Sequence, residues 1–531
     1  MLAPGRTPAQ PGGQGTRLRT ALPRHLTRSP PAPAPEGPVT NPIHEERAMF
    51  ESPLLSNLHG YIDGSWTPAD SGERFPVHNP VNGDELGRVA AMGAEETRRA
   101  IDAAHAALRR GSELEERQAW LDGIVDALKA HKSELGRVLT MEHGKPLKEA
   151  QGEVLYAAGF FEFCAKNVYS LGPRTLPERP REATWTIHNR PAGVVGLVTP
   201  WNFPIGMIAK KLSAAIAAGC PSVIKPSSKT PLTMLALFTL MEREVDLPPG
   251  FVNLVTGPSG PIGDTLMADD RVRVVSFTGS TEVGRKLITA SAPGVKKLAL
   301  ELGGNAPFIV FADTDLDRAA DHLIANKFRG GGQTCVCANR ILVEASVEES
   351  FADKVAERAA RLKVGDGMAP DTDLGPLIDR NGYEKVRRHF NNALEQGATA
   401  VLGEDPGPIP NDWGGFFPPA VLRGVKPGMD CTREETFGPL VPIMPFRDEA
   451  QALEMANDTE FGLAAYLFTA DEARAQRLIA GLEFAHVGHN TGTGPTPEAP
   501  FGGMKCSGWG REGGTEGLFE FVEPQTVPRG N

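Results

Sequence analysis

Two cysteines separated by one residue stand behind a run of glycines in the stretch GGGQTCVCANR, residues 330–340. Such a pair could be half of a metal site, a disulfide, two packed core thiols, or a nucleophile with a neighbour. A nucleophilic thiol needs access to substrate, a lowered pKa and often a base nearby. The glycines would let Cys335 stand clear at a turn, where backbone N–H groups can stabilise an oxyanion. Cys335 is therefore a candidate nucleophile and Cys337 its neighbour.

A carboxylate lies at the end of an apolar run in LALELGGNAP, residues 298–307. Burying such a charge is costly unless the group is partnered or functional. Desolvation would raise the pKa of Glu301 and suit it to the role of general base. A structural glutamate, hydrogen-bonded at the end of a strand, is the alternative.

The metal alternative would combine the cysteines with His486 and His489 from FAHVGHN. A C-x-C pair with H-x2-H departs from the usual zinc spacings, which disfavours this alternative. A disulfide between Cys335 and Cys337 would close a tight, strained ring, so it would be labile rather than structural.

A glycine turn between a predicted strand and a predicted helix, FTGSTEVG at 277–284, could bind a phosphate. The helix N-terminus presents free N–H groups, and the glycines let the backbone approach a ligand. The spacing is G-x4-G rather than the usual dinucleotide fingerprint. An ordinary turn between strand and helix therefore remains open.

Lys225 ends another candidate strand, in IKPSSKT at 224–230. In dinucleotide-binding folds this place faces the adenosine ribose, where an acidic residue would bind the 2′-hydroxyl. Residues 225–230 contain no acid, and Ser228 and Lys229 would tolerate a 2′-phosphate. A solvated loop lysine is the alternative.

The elements that must position these residues alternate between strand and helix from Val194 onwards. Apolar strands are predicted at 194–199, 222–226, 251–257, 272–280, 297–304, 306–313 and 340–347. Helices are predicted at 206–220, 231–245, 315–328 and 348–362, with another directly after the strand that ends at 280. This alternation predicts βαβ units and parallel sheets. We expect two α/β domains that meet near residues 302–304.

The composition argues against several classes of protein. A formal net charge of -11 over 531 residues is unlike a surface built for nucleic acid. No apolar run approaches the ~18 residues that a membrane helix needs. The six cysteines form no disulfide framework, which indicates a reducing compartment, the cytoplasm. Residues 1–48, rich in Pro, Gly and Arg, are expected to be a disordered extension or to precede a true start at Met49.

Seven stretches, in their order along the chain, resemble the aldehyde dehydrogenase superfamily. They are PWNFP, IKPSSKTP, FTGSTEVG, LELGGNAP, FRGGGQTCVC, EETFGP and PFGGMKCSG. The resemblance covers about residues 50–527. It implies an α/β fold with a Rossmann-type cofactor domain, an α/β catalytic domain and a small β oligomerisation arm. The cofactor domain would comprise 49–173 and 192–302, the catalytic domain 303–495, and the arm 174–191 with 512–527.

The resemblance also implies an activity and the residues that perform it. Cys335 would attack an aldehyde, Asn202 would donate to the oxyanion, and Glu301 would activate the water that hydrolyses the resulting thioester. Lys211 looks like the family's supporting lysine. The cofactor, NADP or NAD, would be bound by Trp201, Lys225, Ser228, Gly279, Ser280, Glu435 and Phe437. Of these, Lys225 and Glu435 would contact the two riboses and Phe437 the nicotinamide.

TCVC and the preceding KFR are similar to the succinate-semialdehyde dehydrogenases, which bind the substrate carboxylate with two arginines and a serine. Arg329 matches one arginine, Lys210 stands in place of the other, and Pro495 replaces the serine beside Thr496. Arginine and lysine differ at a bidentate carboxylate site. We therefore expect a carboxylate-bearing aldehyde, with glutarate or 2-oxoglutarate semialdehyde and uncharged aldehydes as alternatives. A catalytically silent nucleotide-binding protein is the alternative of another class.

Three further expectations follow from the resemblance. Ser228 stands where a glutamate accompanies NAD preference in the superfamily, so NADP should be accepted. Cys337 could form a reversible disulfide with Cys335 that switches activity off, or it could be only a packed side chain. The arm would pair subunits into a homodimer or homotetramer.

Overall fold

The computed structural model describes residues 50–178, 180–409 and 413–530. The expected N-terminal extension, residues 1–48, lies outside the described residues. In the described part of the chain, no helix is both long and apolar enough to cross a membrane.

A first sheet of eight strands forms from the residues before the expected junction and two residues near the C-terminus. Five central strands run parallel, while the strands at both edges are antiparallel to their neighbours. In spatial order the strands are Ser65–Thr67, Gly60–Ile62, Val252–Leu254, Ser222–Lys225, Val194–Val198, Val272–Thr278, Lys297–Glu301 and Gly508–Trp509. The predicted strands at 194–199, 222–226, 251–257, 272–280 and 297–304 are confirmed, each ending earlier than expected.

Helices accompany this sheet. They are Ala94–Arg110, Leu114–Ala130, Lys132–His143, Leu147–Asn167, Pro204–Ala218, Leu232–Glu244, Ser259–Ala268, Thr281–Ser291 and Gly514–Phe519, with a 3-10 turn at Val168–Leu171. Every residue of Pro204–Ala218 is buried, which fits its apolar sequence and makes its two lysines exceptional. A separate antiparallel pair, Arg74–His78 with Glu85–Ala90, precedes these helices.

A second sheet of seven strands forms from residues after the expected junction, so the chain contains two α/β sheets. Its strands are parallel except at one edge. In spatial order they are Thr399–Leu402, Ala420–Arg423, Leu440–Phe446, Ala338–Glu344, Ala306–Val310, Ala464–Phe468 and His486–His489. The accompanying helices are Leu316–Lys327, Glu348–Ala359, Arg380–Glu395, Asp430–Arg433, Glu449–Asn457 and Glu472–Gly481.

A third, antiparallel sheet contains the expected arm. Its strands are Arg174–Thr175, Thr184–Pro191 and Val522–Arg529, with Val522 opposite Pro191 and Arg529 opposite Thr184. The arm strand at the C-terminus therefore begins at Val522, since Gly514–Phe519 is helical. Side chains from Glu523 to Arg529 are exposed.

Parallel strands of both sheets end close to the chemically interesting residues. Glu301 is the last residue of Lys297–Glu301, and Lys225 is the last residue of Ser222–Lys225. Ligands of open α/β sheets bind outside the carboxyl ends of the strands. The fold thus delivers the predicted base and the predicted ribose-binding lysine to the edge where a ligand binds.

Candidate active site

The glycine run before Cys335 forms a turn that side chains would block. Gly330, Gly331 and Gly332 have φ values of 59°, 68° and 77°, which only glycine adopts readily. A Cβ on Gly332 would overlap the Gly438 carbonyl. The turn leaves Cys335 partly exposed, lining two adjoining cavities. The expectation of an accessible thiol is confirmed.

The thiol of Cys335 faces a carboxylate. Its Sγ donates to Oε1 of Glu301 over 3.4 Å. Burial raises the pKa of Cys335 well above its usual range, and the Glu301 charge raises it further. This direction is opposite to the lowered pKa that a nucleophilic thiol needs. The thiol holds its proton, and the adjacent carboxylate is the group that can accept it.

Glu301 is buried, with 2% of its surface exposed. Desolvation raises its pKa to about 7, while the ammonium of Lys210, 3.5 Å from Oε2, opposes that rise. Thr278 donates to the same oxygen over 3.4 Å. The predicted rise in the pKa of Glu301 is confirmed, and a carboxyl titrating near neutrality suits a general base.

Asn202 is held beside the nucleophile's turn. Its Nδ2 donates to the Gln333 carbonyl over 2.9 Å, which fixes the orientation of the amide. The second N–H of Nδ2 remains for an oxyanion near Cys335. Among the described residues, the buried Oδ1 has no hydrogen-bond partner.

A buried ion pair holds the backbone at Asn202, and sequence reasoning missed it. Lys145 Nζ donates to the Asn202 carbonyl and to Glu153, both over 2.7 Å. Glu153 Oε1 in turn accepts from the N–H groups of Ile205 and Gly206, at the start of the helix Pro204–Ala218. Both charged side chains are 1% exposed. Lys145 lies between Gly144 and Pro146, and Glu153 follows Gly152, so no local sequence pattern marks the pair.

Lys211 points away from the nucleophile and towards the C-terminal part of the chain. Its Nζ donates to Ser276 Oγ over 3.1 Å and forms a short contact with Glu512. Glu512, which sequence reasoning did not identify, brings a second carboxylate behind Glu301. Lys211 and neighbouring Lys210 hold the pKa of Glu512 below its usual range.

A small cavity opens on the side of Cys335 where a substrate would lie. Arg329 is exposed and stacks on Phe203, its guanidinium carbon 4.9 Å from the ring centroid. Within the described ranges, Arg329 forms no hydrogen bond or ion pair with a carboxylate. The lining residues are Tyr156, Phe203, Met207, Lys210, Glu301, Arg329, Thr334, Cys335, Val336, Pro495 and Phe501.

Thr496 does not line this cavity. Its hydroxyl contacts Glu498 on the exposed surface, while Pro495 faces the cavity. Among the predicted substrate residues, the structure therefore brings Arg329 and Lys210 to Cys335 and leaves Thr496 outside. Tyr156 and Phe203, unrecognised in the sequence, complete the apolar walls.

Cys337 is buried and is not disulfide-bonded. Its Sγ lies 3.3 Å from the Gly332 carbonyl oxygen and 3.9 Å from Lys327 Nζ. Burial raises the pKa of Cys337 above its usual range. His486 binds the Thr493 carbonyl, and the described residues include no group of three metal-ligating side chains.

A larger cavity of about 350 Å³ opens on the other side of Cys335. Its walls include Trp201, Gly279, Ser280, Glu435 and Phe437. The rings of Trp201 and Phe437 meet edge to face, 5.6 Å apart. Phe437 has a φ of 58°, a strained value for a bulky residue. Five of the predicted cofactor residues thus surround one space.

The two remaining predicted cofactor residues, Lys225 and Ser228, form hydrogen bonds within the protein. Lys225 is buried and donates to Ser259 Oγ over 2.7 Å, and desolvation lowers its pKa to about 8. Ser228 donates to the Gly257 carbonyl over 3.0 Å. Ser280, which lines the larger cavity, caps the helix Thr281–Ser291 by accepting from the Val283 N–H.

Glu435 adds a partly buried carboxylate to this cavity. Its Oε1 accepts from the Gly304 N–H over 3.2 Å, and burial raises its pKa to about 7. Asp379, which sequence reasoning missed, also lines the cavity and pairs with Lys229. An acid contributed by the second sheet's half therefore stands beside the lysine thought to tolerate a phosphate.

Comparison with known proteins places this chain in a recognised family. The sequence model described as "Aldehyde dehydrogenase family" matches residues 66–527. A succinate-semialdehyde dehydrogenase [NADP(+)] of Escherichia coli strain K12 is 46% identical over 88% of this chain and 97% of that protein. A glutarate-semialdehyde dehydrogenase of Pseudomonas putida is 45% identical over the same shares. The crystal structure of an oxidoreductase from Marinobacter aquaeolei, 60% identical, superposes with a TM-score of 0.89 over 91% of this chain and 100% of that one.

Proposed function

The chain belongs to the aldehyde dehydrogenase family, and on that premise we propose that it oxidises a carboxylate-bearing aldehyde to the acid. The proposed substrate class rests on the position of Arg329. Its guanidinium lines the cavity of Cys335 and forms no ion pair with a described carboxylate. A guanidinium offers paired donors that match a carboxylate. An aldehyde whose far end is a carboxylate satisfies Arg329 while its carbonyl approaches the thiol.

The side chains around Cys335 can carry out the steps of the reaction that do not involve the cofactor. Glu301, 3.4 Å away, accepts the thiol proton, and the thiolate adds to the aldehyde carbon. Asn202 and the Cys335 backbone N–H donate to the oxygen that gains negative charge. After oxidation the substrate is a thioester on Cys335. Once Glu301 has released the thiol proton to solvent, it takes a proton from water, the resulting hydroxide adds to the thioester and displaces the thiolate, and the acid leaves.

The cavity on the opposite side fits a nicotinamide dinucleotide. The buried ammonium of Lys225 has one described hydrogen-bond partner, the Ser259 hydroxyl, and so retains donors for ribose hydroxyls. Glu435 offers a carboxylate for the other ribose, and Phe437 a ring for the nicotinamide. When bound, NAD or NADP supplies the hydride acceptor for the adduct on Cys335. Trp201, Ser228, Gly279 and Ser280 complete the proposed cofactor residues.

Succinate semialdehyde is the first choice of substrate, since the succinate-semialdehyde relative is 46% identical. Glutarate and 2-oxoglutarate semialdehyde carry the same terminal carboxylate. Purified protein should be assayed with these semialdehydes and with uncharged aldehydes of equal length, each with both cofactors. A higher kcat/KM for uncharged aldehydes would overturn the substrate class. Unchanged activity in Cys335→Ser would remove Cys335 from its role, whereas loss of turnover with retained cofactor binding supports it.

The protein is further proposed to be a cytoplasmic homodimer or homotetramer. All six cysteines are free, which supports a reducing compartment. The exposed strand Val522–Arg529 lies at an edge of the arm sheet, and an exposed edge can pair with another chain. Gel filtration that shows only monomer would contradict the oligomer.

A further inference from the structure

Two cations line the small cavity, but their surroundings differ. Arg329 is exposed and rests on aromatic rings. Lys210 is 2% exposed, and its Nζ lies 3.5 Å from Glu301 and 3.7 Å from Glu512. The ammonium also lies over the Phe501 ring, 4.4 Å from its centroid. One cation is available to a ligand and the other is already engaged.

We propose that Lys210 is a positioning residue for Glu301, not an anchor for the substrate carboxylate, so that Arg329 alone holds that carboxylate within this cavity. The inference rests on the proposed function, since it concerns which cation meets the substrate. It reassigns the residue that stands where the resemblance implies a second arginine.

The charge balance around Lys210 supports this assignment. Lys210 and Lys211 face two carboxylates, Glu301 and Glu512, in a buried cluster that is already neutral when all four groups are charged. A substrate carboxylate bound to Lys210 would bring a third anion beside the other two. Like charges at such separations repel strongly in a buried site. The charges of the cluster are therefore balanced without a substrate carboxylate.

The type of side chain agrees with this role. A lysine ammonium is a compact charge with three donors, which can serve two carboxylates in different directions. An arginine fork would instead match one carboxylate in a plane. Lys210 directly precedes Lys211 in the same helix. Lys211 pairs with Glu512, and Lys210 can therefore pair with Glu301. The lysine thus fixes the carboxylate that contacts Cys335.

A consequence concerns substrate length. With two cationic anchors, the distance from thiol to carboxylate would be set by both. With Arg329 alone, whose side chain is exposed, the enzyme should accept semialdehydes that differ by one methylene with kcat/KM values within about tenfold.

The test compares Lys210→Met, Lys210→Arg and Arg329→Met, each with succinate semialdehyde and with butanal, which lacks the carboxylate. Lys166→Met is the matched control, because Lys166 is 68% exposed and, among the described residues, forms an ion pair only with the surface residue Glu162. Lys210→Met should lower kcat at neutral pH by the same factor for both aldehydes. The groups facing Glu301 and Lys210 are Glu512, Lys211, Tyr156 and Cys335.

The pH profile separates positioning from anchoring. Removing the Lys210 charge should move the acid limb of kcat to higher pH by about one to three units, and Lys210→Arg should bring it back. Arg329→Met should raise KM for succinate semialdehyde about ten- to a hundredfold and keep the limb in place. Alkylation of Cys335 by iodoacetamide, followed by mass spectrometry, should shift to higher pH in Lys210→Met even if turnover is lost.

The proposal is overturned if Lys210→Met raises KM for succinate semialdehyde alone and leaves both the acid limb and the alkylation curve at their wild-type positions. Failure of the proposed function looks different. Wild-type protein would then favour butanal, and the role of Lys210 would still be decided by the acid limb measured with butanal.

Discussion

The Sγ atom of Cys335 donates to Oε1 of Glu301 over 3.4 Å, so the candidate nucleophile and the candidate base are in direct contact. The Glu301 charge raises the cost of ionising Cys335, because a thiolate and a carboxylate would be adjacent anions in a buried site. The resting pair therefore holds a proton. That proton must leave before water can be activated, which makes the pH dependence of turnover a direct report on the pair.

The first prediction concerns pH. Burial raises the pKa of Glu301 to about 7, and its base form exists above that pKa. Turnover limited by thioester hydrolysis should therefore rise with pH through neutrality. Glu301→Gln cannot accept a proton, so steady-state kcat should fall by about 10²-fold or more. Steady-state assays across pH check both, and an acid limb near pH 4 would contradict the assignment.

The second prediction concerns Asn202. Its Nδ2 is oriented by the Gln333 carbonyl, with one N–H left over. Asn202→Ala should lower kcat by ~10²–10³, as expected for loss of one oxyanion donor. Cofactor affinity, measured by fluorescence titration, should stay within about twofold. Wild-type kcat in this variant would exclude the side chain from the oxyanion site.

The third prediction concerns Lys145, which holds the Asn202 carbonyl and Glu153. Lys145→Met leaves the Glu153 charge buried and unpaired, so the free energy of unfolding should fall by about 3–5 kcal/mol. Without the hydrogen bond from Lys145, the backbone at Asn202 is no longer held in place, and kcat should fall as well. Lys148→Met is the matched control, since Lys148 is 59% exposed and its surface pair is worth at most about 1 kcal/mol. Urea unfolding and kcat are the measurements, and a normal kcat would limit Lys145 to a structural role.

The fourth prediction concerns cofactor choice. The carboxylate of Asp379 pairs with Lys229 at the edge of the larger cavity. A 2′-phosphate would have to share Lys229 with this acid, whereas NAD would not. Asp379→Asn should therefore raise kcat/KM for NADP relative to NAD, and asparagine keeps the helix cap that Asp379 gives to Arg380–Glu395. Asp371→Asn, at an exposed pair with Lys363, is the control. An unchanged ratio would place the phosphate elsewhere.

The fifth prediction concerns Cys337. If this thiol forms a reversible disulfide with Cys335, an oxidant should abolish the activity of the wild type and a reducing thiol should restore it. The Cys337→Ala variant should show no inactivation that a reducing thiol reverses. Its raised pKa means that inactivation should accelerate as pH rises, because the thiolate is the reacting form. Timed inactivation at several pH values tests this. Equal behaviour of wild type and Cys337→Ala would leave Cys337 as a packed side chain.

Much of the fold followed from local pattern. Alternating apolar strands and helices predicted the five parallel strands of the first sheet and two strands of the second, because strand burial and helix periodicity show in the order of neighbouring residues. The arm was less accurate. Its last strand begins at Val522 rather than near 512, since a short helix at Gly514–Phe519 has little periodicity to reveal it.

The sequence by itself identified Cys335, Glu301 and Asn202 as candidates for the reaction and carried the family resemblance, since motifs preserve residue types in order. Only the tertiary structure decided which charged side chains lie close to one another. Lys210 faces Glu301 and Glu512 from 91 and 302 residues away, and Arg329 is left without an ion pair in the described chain. Pairing of this kind depends on distances between segments remote in sequence. A pKa raised rather than lowered at Cys335 has the same origin, because burial and a neighbouring carboxylate are properties of the folded site.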